Sequence, residues 1–261
     1  MPRALIWDVD GTLAETERDG HRVAFNSAFE AAGLPWRWDV DHYGRLLQVT
    51  GGRERLLHDM ALRPDAPASA AGRELLARTL HALKNAAYAR LVAQGQVSLR
   101  PGVRELLDEC AAAGVRLAIA TTTSRSNVQA LLQAQLGDAG APRFEVVLCA
   151  EDAPRKKPDP QVYRLALQAL GLAARDAVAV EDSPAGLAAA RASGIPVLLT
   201  RSVYFANAFQ PPGAADGVLA IGDGLHSGQG WSPAASAPGR IGLTQLKDWL
   251  KTHPDNMRCC A

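Results

Sequence analysis

Residues 4–12 read Ala4-Leu5-Ile6-Trp7-Asp8-Val9-Asp10-Gly11-Thr12. Four apolar residues stop abruptly on two aspartates that bracket a valine, and a glycine follows. A short unbroken apolar run is the pattern of a strand buried on both faces, and the carboxylates mark the polar loop at its end. The same texture recurs downstream. The run Val115–Ala120 ends on Thr121, Phe144–Cys149 leads into a loop carrying Lys157, and Ala177–Val180 ends on Glu181-Asp182. Ile195–Leu199 and Gly217–Ile221 add two further runs. Helical segments separate them, over 103–113, between Thr121 and Phe144, over 161–170 and over 185–193, and Leu243–Leu250 reads as a closing helix. Strands alternating with helices of about ten residues define βαβ units and a parallel sheet covered on both faces. The fold class is therefore α/β, with a Rossmann-like parallel-sheet core.

The stretch after the first strand breaks this alternation. Val23, Phe25, Phe29 and Ala32 recur at helical spacing, and Gly33-Leu34-Pro35 ends that helix. Helices over 39–49 and 54–62 follow, then a Pro/Ala-rich break at 63–67 and a long helix over 70–93. No strand pattern interrupts them. Residues 1–16 and 97–261 are thus expected to form the α/β core, with 201–240 irregular. Residues 17–96 are expected to form a small helical cap domain, with a hinge at each crossing.

Composition excludes several classes. The 261 residues are 48% hydrophobic and 5% aromatic, with 28 Lys+Arg against 27 Asp+Glu. A net charge of +1 gives no broad basic surface for nucleic acid, and so few aromatics offer no stacking platform for single strands. No apolar run approaches the roughly 20 residues of a membrane span. The acidic pair at residues 8 and 10 stands where a signal peptide would carry its apolar stretch. A cytoplasmic monomer without nucleic-acid or membrane partners is the expectation. Cys110 and Cys149 lie in apolar segments and read as buried free thiols, whereas Cys259 and Cys260 suggest an exposed reactive tail.

In an open parallel sheet, ligands sit beyond the carboxyl ends of the strands. Asp8 and Asp10, Thr121, Lys157, and Glu181 with Asp182 all fall there. Taken singly, each has a bland reading as a helix cap, turn former or solvated loop residue. Their coincidence at successive strand ends is what points to one phosphoryl-transfer crevice. Carboxylates gathered so closely repel one another unless a cation sits among them, and oxygen ligands favour a hard ion such as Mg2+.

On these residues the chain resembles the haloacid-dehalogenase-like (HAD) phosphohydrolases. Asp8-Val9-Asp10-Gly11-Thr12, Thr121, Lys157-Pro158 and Glu181-Asp182-Ser183-Pro184-Ala185-Gly186 look like that superfamily's four ordered motifs, and the helical insertion matches its small cap. Leu13-Ala14-Glu15-Thr16-Glu17, Trp36-Arg37-Trp38-Asp39, Tyr43, Thr50-Gly51-Gly52-Arg53-Glu54-Arg55 and the run Ala120–Ser124 look closest to the CbbY-like sugar-bisphosphate phosphatases. That resemblance implies hydrolysis of xylulose 1,5-bisphosphate. Phosphoglycolate or another sugar phosphate is the alternative substrate, and a beta-phosphoglucomutase-like phosphomutase the alternative activity.

The resemblance also implies roles. Asp8 is expected to attack phosphorus and form an aspartyl-phosphate, and Asp10 to act as general acid and then base, which calls for a carboxyl partly protonated near neutral pH. Thr121 would hydrogen-bond a phosphoryl oxygen, and Lys157, rather than its neighbour Lys156, would neutralise charge there. Magnesium would be held by Asp8, the Asp10 main-chain carbonyl and Asp182, with Glu181 acting through water. Thr50-Gly51-Gly52-Arg53 is a small-residue loop at a helix start, suited to a second phosphate. Arg53, Arg55 and Lys84 are the candidates for that distal phosphate. Glu15, His21 and Tyr43 are the candidates for sugar hydroxyls, and Thr122 and Thr123 complete the substrate-binding set.

Overall fold

A computed structural model describes residues 1–209 and 217–252 of the chain. Among these, six strands form one parallel sheet: β1 (Ala4–Trp7), β2 (Arg116–Ala120), β3 (Val146–Leu148), β4 (Ala177–Glu181), β5 (Val197–Thr200) and β6 (Val218–Gly222), in the order β3-β2-β1-β4-β5-β6. Side chains alternate across it as strand geometry requires. Leu5 and Trp7 enter one apolar cluster and Ala4 and Ile6 the other, all fully buried. Helices α5 (Val103–Ala113), α6 (Arg125–Leu136), α7 (Gln161–Leu170), α8 (Pro184–Arg191) and α9 (Leu243–Thr252) belong to this part of the chain. The strand order reverses direction at β1 and β4, which pair in register from Ala4↔Ala177 to Trp7↔Val180. A crevice opens at such a switch point, beyond the strands' carboxyl ends.

Between β1 and α5 lie α1 (Arg22–Ala31), α2 (Val40–Leu46), α3 (Gly52–Ala61) and α4 (Ala70–Ala93), preceded by a π-helical turn over Glu17–His21. The helix expected from the spacing of Val23, Phe25 and Phe29 is α1, and it begins at Arg22 because Glu17–His21 adopts the wider turn. These helices have a core of their own around Phe25, Phe29, Trp36, Trp38, Tyr43, Leu56 and Met60. Trp38 is its centre, packed against Phe25 and Phe29 with ring centroids 4.7 and 5.0 Å away. Its indole N–H donates to Asp59 at 2.9 Å, so the buried polar atom is satisfied. Asp39 caps α2 by accepting the His42 N–H at 2.7 Å.

The two crossings to this helical block run side by side. Leu99 bridges Ala14 in antiparallel fashion, and the Arg100 N–H donates to the Leu13 carbonyl at 2.8 Å. Within the stretch 201–240, otherwise expected to be irregular, the run read at Gly217–Ile221 forms β6, and an antiparallel bridge joins Ile221 to Ser232. Trp231 seals that end of the core, its ring 5.1 Å from that of Trp249. Cys110 and Cys149 are free and buried, and burial pushes both thiols up to about 12, so they are inert packing residues as expected. Cys259 and Cys260 lie outside the described residues. Among the described residues no helix is long and apolar enough to cross a membrane.

Candidate active site

β1 and β4 deliver their acidic ends side by side. Asp8 follows β1 directly and Glu181 closes β4, with Asp182 next in the chain. Carboxylate oxygens of Asp8, Glu181 and Asp182 lie within 4.8 Å of one another, and all three residues are buried. The Lys157 ammonium, itself buried, sits between two of them, 2.6 Å from Asp8 Oδ1 and 2.6 Å from Glu181 Oε1. These two carboxylates raise the lysine's pKa in spite of its burial. Burial, with the repulsion of Glu181 and Asp10, pushes Asp8 up to about 8 against the pull of Lys157. Asp182 is likewise raised, by burial and by Asp8 and Glu181.

Two carboxylates held above their ordinary range in one enclosed cluster are a donor set short of positive charge, and an oxygen-ligated Mg2+ fits it. The three acids are not equivalent, however. Glu181 Oε1 accepts from both Lys157 and Tyr163, and Oε2 accepts from the Asp182 N–H at 3.2 Å. These bonds fix Glu181 beside Lys157, which it orients, while its carboxylate stays within the cluster that could hold a metal. Asp182 instead faces the β1 loop, where Thr12 Oγ1 donates to it at 3.1 Å. Gly11 makes that approach feasible. Its φ is +82°, and a Cβ there would stand 2.1 Å from Asp182 Oδ2.

Asp10 behaves differently from expectation. Thr16 Oγ1 donates to its Oδ1 at 2.6 Å, and His21 Nε2 lies 2.9 Å from the same atom. Burial works against the charge, but His21 and Thr16 outweigh it and hold the carboxyl below the usual range. The acid anticipated as partly protonated is therefore ionised in this arrangement, because a side chain from the helical block reaches down to it.

Above the acidic centre is a cavity of about 270 Å3, lined among others by Asp10, Glu17, His21, Gly51, Gly52, Arg53, Arg55, Lys84, Thr122 and Thr123. A smaller one of about 100 Å3 adjoins it and brings Asp8, Thr50, Lys157 and Phe205 together with Arg55 and Thr122. Arg55 is buried and donates to the Tyr43 hydroxyl at 2.7 Å, with Glu17 at 3.7 Å. Lys84 is buried between the rings of Phe25 and Tyr88, and burial lowers it to about 8 although Asp10 and Glu17 pull upward.

Several anticipated substrate contacts fall elsewhere. Tyr43 lies behind Arg55 and donates to Glu17, outside both cavities, so it supports the arginine rather than touching a sugar. Glu15 also lies outside them. Its half-buried carboxyl is raised by burial, offset by Arg100 and by a hydrogen bond from the Val203 backbone. Arg53 reaches the cavity's edge, but Glu74 already holds it at 2.6 Å. Thr121 is buried under its own loop, accepting the Thr123 N–H at 3.3 Å, and it is Thr122 that lines both cavities.

Other lining residues went unnoticed in the sequence. His81 stands one helical turn before Lys84, a spacing that places them on one face of α4 and was a usable signal. Burial and the nearby Lys84 lower it to about 4, so it is neutral at pH 7. Asn127 had no such signal, whereas Glu17 stands in the family-like stretch 13–17 and Lys156 is the lysine passed over in favour of Lys157. Lys156 leaves the core to border the larger cavity opposite Gly51.

A buried aspartate beside a charge-neutralising lysine, with a second aspartate two residues on and a cavity overhead that arginine and lysine border, is equipment suited to a phosphatase. The comparisons agree with that class. The model of the haloacid dehalogenase-like hydrolases matches residues 2–194, and the chain belongs to this family. It is 48% identical over 202 residues to Protein CbbY of Rhodobacter capsulatus, covering 77% of this chain and 86% of that one. It is 33% identical to a phosphoglycolate phosphatase of Rhodospirillum rubrum, over 94% of this chain and 97% of that one. Among solved structures, a mutant CbbY from Rhodobacter sphaeroides in complex with xylulose-(1,5)bisphosphate superimposes with a TM-score of 0.77 at 38% identity, covering 86% of this chain and 95% of that one.

Proposed function

We propose that this protein is a magnesium-dependent phosphatase for a small sugar bisphosphate, xylulose 1,5-bisphosphate, acting through an aspartyl-phosphate on Asp8. The observation that carries the reading is the distribution of charge along the cavity: acids and Lys157 at its floor, and Arg53, Arg55, Lys84 and Lys156 around its upper wall. A substrate with a phosphate at each end matches both poles. Residues 17–96 then serve as the cap that closes over it, from a cytoplasmic monomer.

In this mechanism the Asp8 carboxylate attacks phosphorus while Lys157, fixed by Glu181, balances charge on both. Asp8, the Asp10 main-chain carbonyl and Asp182 would hold Mg2+, which neutralises phosphoryl charge when bound. Thr121 and the Thr122 loop bind phosphoryl oxygens. Asp10 must release Thr16 and His21, take up a proton from water and turn to the sugar oxygen before it can protonate the leaving group. Because His21 comes from the cap, cap position and acid availability are coupled. The same Asp10 then takes a proton from the water that cleaves the aspartyl-phosphate.

A second reading is a phosphoglycolate phosphatase. It is favoured by the Rhodospirillum rubrum relative, whose match extends over the chain's last third. The deciding experiment is phosphate release from xylulose 1,5-bisphosphate, ribulose 1,5-bisphosphate and phosphoglycolate, with and without Mg2+. Magnesium-dependent preference for the xylulose compound is expected. Preference for phosphoglycolate would install the second reading, and wild-type-like turnover by Asp8→Asn would remove the nucleophile assignment.

A further inference from the structure

Arg100 lies in the chain's return crossing from the helical block, between α4 and α5, and none of the motifs accounts for it. Its guanidinium gathers oxygens from distant segments. Nη1 donates to the Gly11 carbonyl at 2.5 Å and to Thr200 Oγ1 at 2.9 Å, and Nη2 donates to the carbonyls of Arg201 at 2.6 Å and Asp223 at 3.0 Å. Its own N–H holds the Leu13 carbonyl, so the residue grips the β1 loop from both main chain and side chain. Only a planar fork with several donors spans such a set; an ammonium acts from a single point.

The Gly11 carbonyl is the informative partner. Gly11 is the residue against which Asp182 packs so closely that no Cβ fits between them. Asp182 and Glu15 both support the charge on Arg100 against its burial, so the guanidinium also sits within the field of the acidic centre, apart from Lys157.

We infer that Arg100 is a positioning residue: by fixing the Gly11 carbonyl it sets the approach of the β1 loop to Asp182, and so ties the seating of the cap's return crossing to cation affinity. The inference rests on the magnesium reading above. The test is calorimetric titration of Mg2+ into the purified full chain, for wild type, Arg100→Lys and Arg100→Gln. Melting temperature is recorded without the ion. Both variants are expected to bind Mg2+ about tenfold more weakly, equivalent to about 1.4 kcal/mol. The half-activating Mg2+ concentration should move by the same factor, with KM for substrate at saturating Mg2+ little changed.

Leu170→Ala, which loosens the apolar cluster on the other face of the sheet at the end of α7, separates positioning from general destabilisation. It should lower the melting temperature and leave Mg2+ affinity alone. Thr200→Val removes one anchor of the guanidinium but leaves Arg100 in place, so it serves if the Arg100 variants do not fold. A shift of about two- to threefold in the same direction is expected, less than the tenfold step assigned to 1.4 kcal/mol. Wild-type Mg2+ affinity in the Arg100 variants, or in Thr200→Val where those do not fold, would overturn the inference and leave Arg100 a structural staple. Absence of saturable Mg2+ binding in the wild type would overturn the magnesium reading itself, and the inference with it.

Discussion

Arg53 and Arg55 stand two residues apart in α3, and their surroundings assign them unequal shares of substrate binding. Arg55 is buried, with its guanidinium between Tyr43, Glu17 and the cavity. A charge-assisted hydrogen bond from such a group to a phosphate contributes about 1.5–3 kcal/mol. At about 1.4 kcal/mol per factor of ten, Arg55→Ala should lower kcat/KM for a sugar bisphosphate by about ten- to a hundredfold. The Arg53 side chain is 43% exposed and already paired with Glu74. A new ion pair there is screened and competes with the old one, worth about 0–1 kcal/mol, so Arg53→Ala should cost no more than about fivefold.

Steady-state phosphate release from xylulose 1,5-bisphosphate and from phosphoglycolate supplies the assay. The Arg55→Ala loss should be large with the bisphosphate and smaller with the monophosphate, whose distal end carries a singly charged carboxylate in place of a phosphate. Arg55→Lys keeps the charge but loses the fork that also engages Tyr43, and should fall between wild type and Ala. Equal losses for Arg53→Ala and Arg55→Ala would refute the argument from burial. Equal losses of Arg55→Ala on both substrates would refute the two-phosphate reading.

Lys84 predicts a pH dependence. Its pKa of about 8 in the free protein means that cationic charge is lost between pH 7 and 9, so KM for an anionic substrate should rise with pH there and rise less in Lys84→Met, where the Asp8 carboxyl still titrates in that window. Stability moves the other way. An unfolded lysine keeps its proton to about pH 10.4, so from about 8 to 10.4 the native state binds fewer protons and this group's contribution to stability rises with pH in denaturant titrations. Gly11→Ala should cut kcat at least about a hundredfold, since its Cβ displaces Asp182 and its φ is unfavourable for alanine, a step equivalent to about 2.8 kcal/mol. A near-normal kcat in that variant would mean the β1 loop and Asp182 can part without loss.

The sheet and its acidic floor were legible because each informative residue follows an apolar run that admits one reading. A buried strand must end somewhere, and in a parallel sheet those ends share an edge, so Asp8, Lys157 and Asp182 could be brought together from order alone. The cap resisted because helix position does not say which neighbour a side chain meets. Tyr43 carries a hydroxyl fit for a sugar, yet Arg55 and Glu17 consume it from behind. Glu15 lies one residue past the start of the crossing and turns toward Arg100 and residue 203. Asp10 was misjudged for the same reason: its protonation is governed by His21, which arrives from a different part of the fold.

The charges at the floor connect these observations. Asp8, Glu181 and Asp182 set three carboxylates against the one ammonium of Lys157. If all are ionised, two negative charges remain in excess over that ammonium at a largely buried floor, where they interact strongly. Such a floor repels the phosphate it is supposed to bind unless a divalent cation restores neutrality first. With that ion in place the attacking carboxylate faces a neutral surround, and a phosphoryl group brings its charge to Lys157 and the ion together. The upper wall poses the opposite problem. Arg55 and Lys84 repel one another across one small space, which Lys156 of the core and the acids Asp10, Glu17, Glu54 and Glu151 also line, and an entering anion relieves that repulsion. A substrate carrying a phosphate at each end relieves both strains at once, whereas a monophosphate relieves only the lower one. Discrimination between the two should therefore reside in the cap, and removing cap cations should narrow it without touching the chemistry at Asp8.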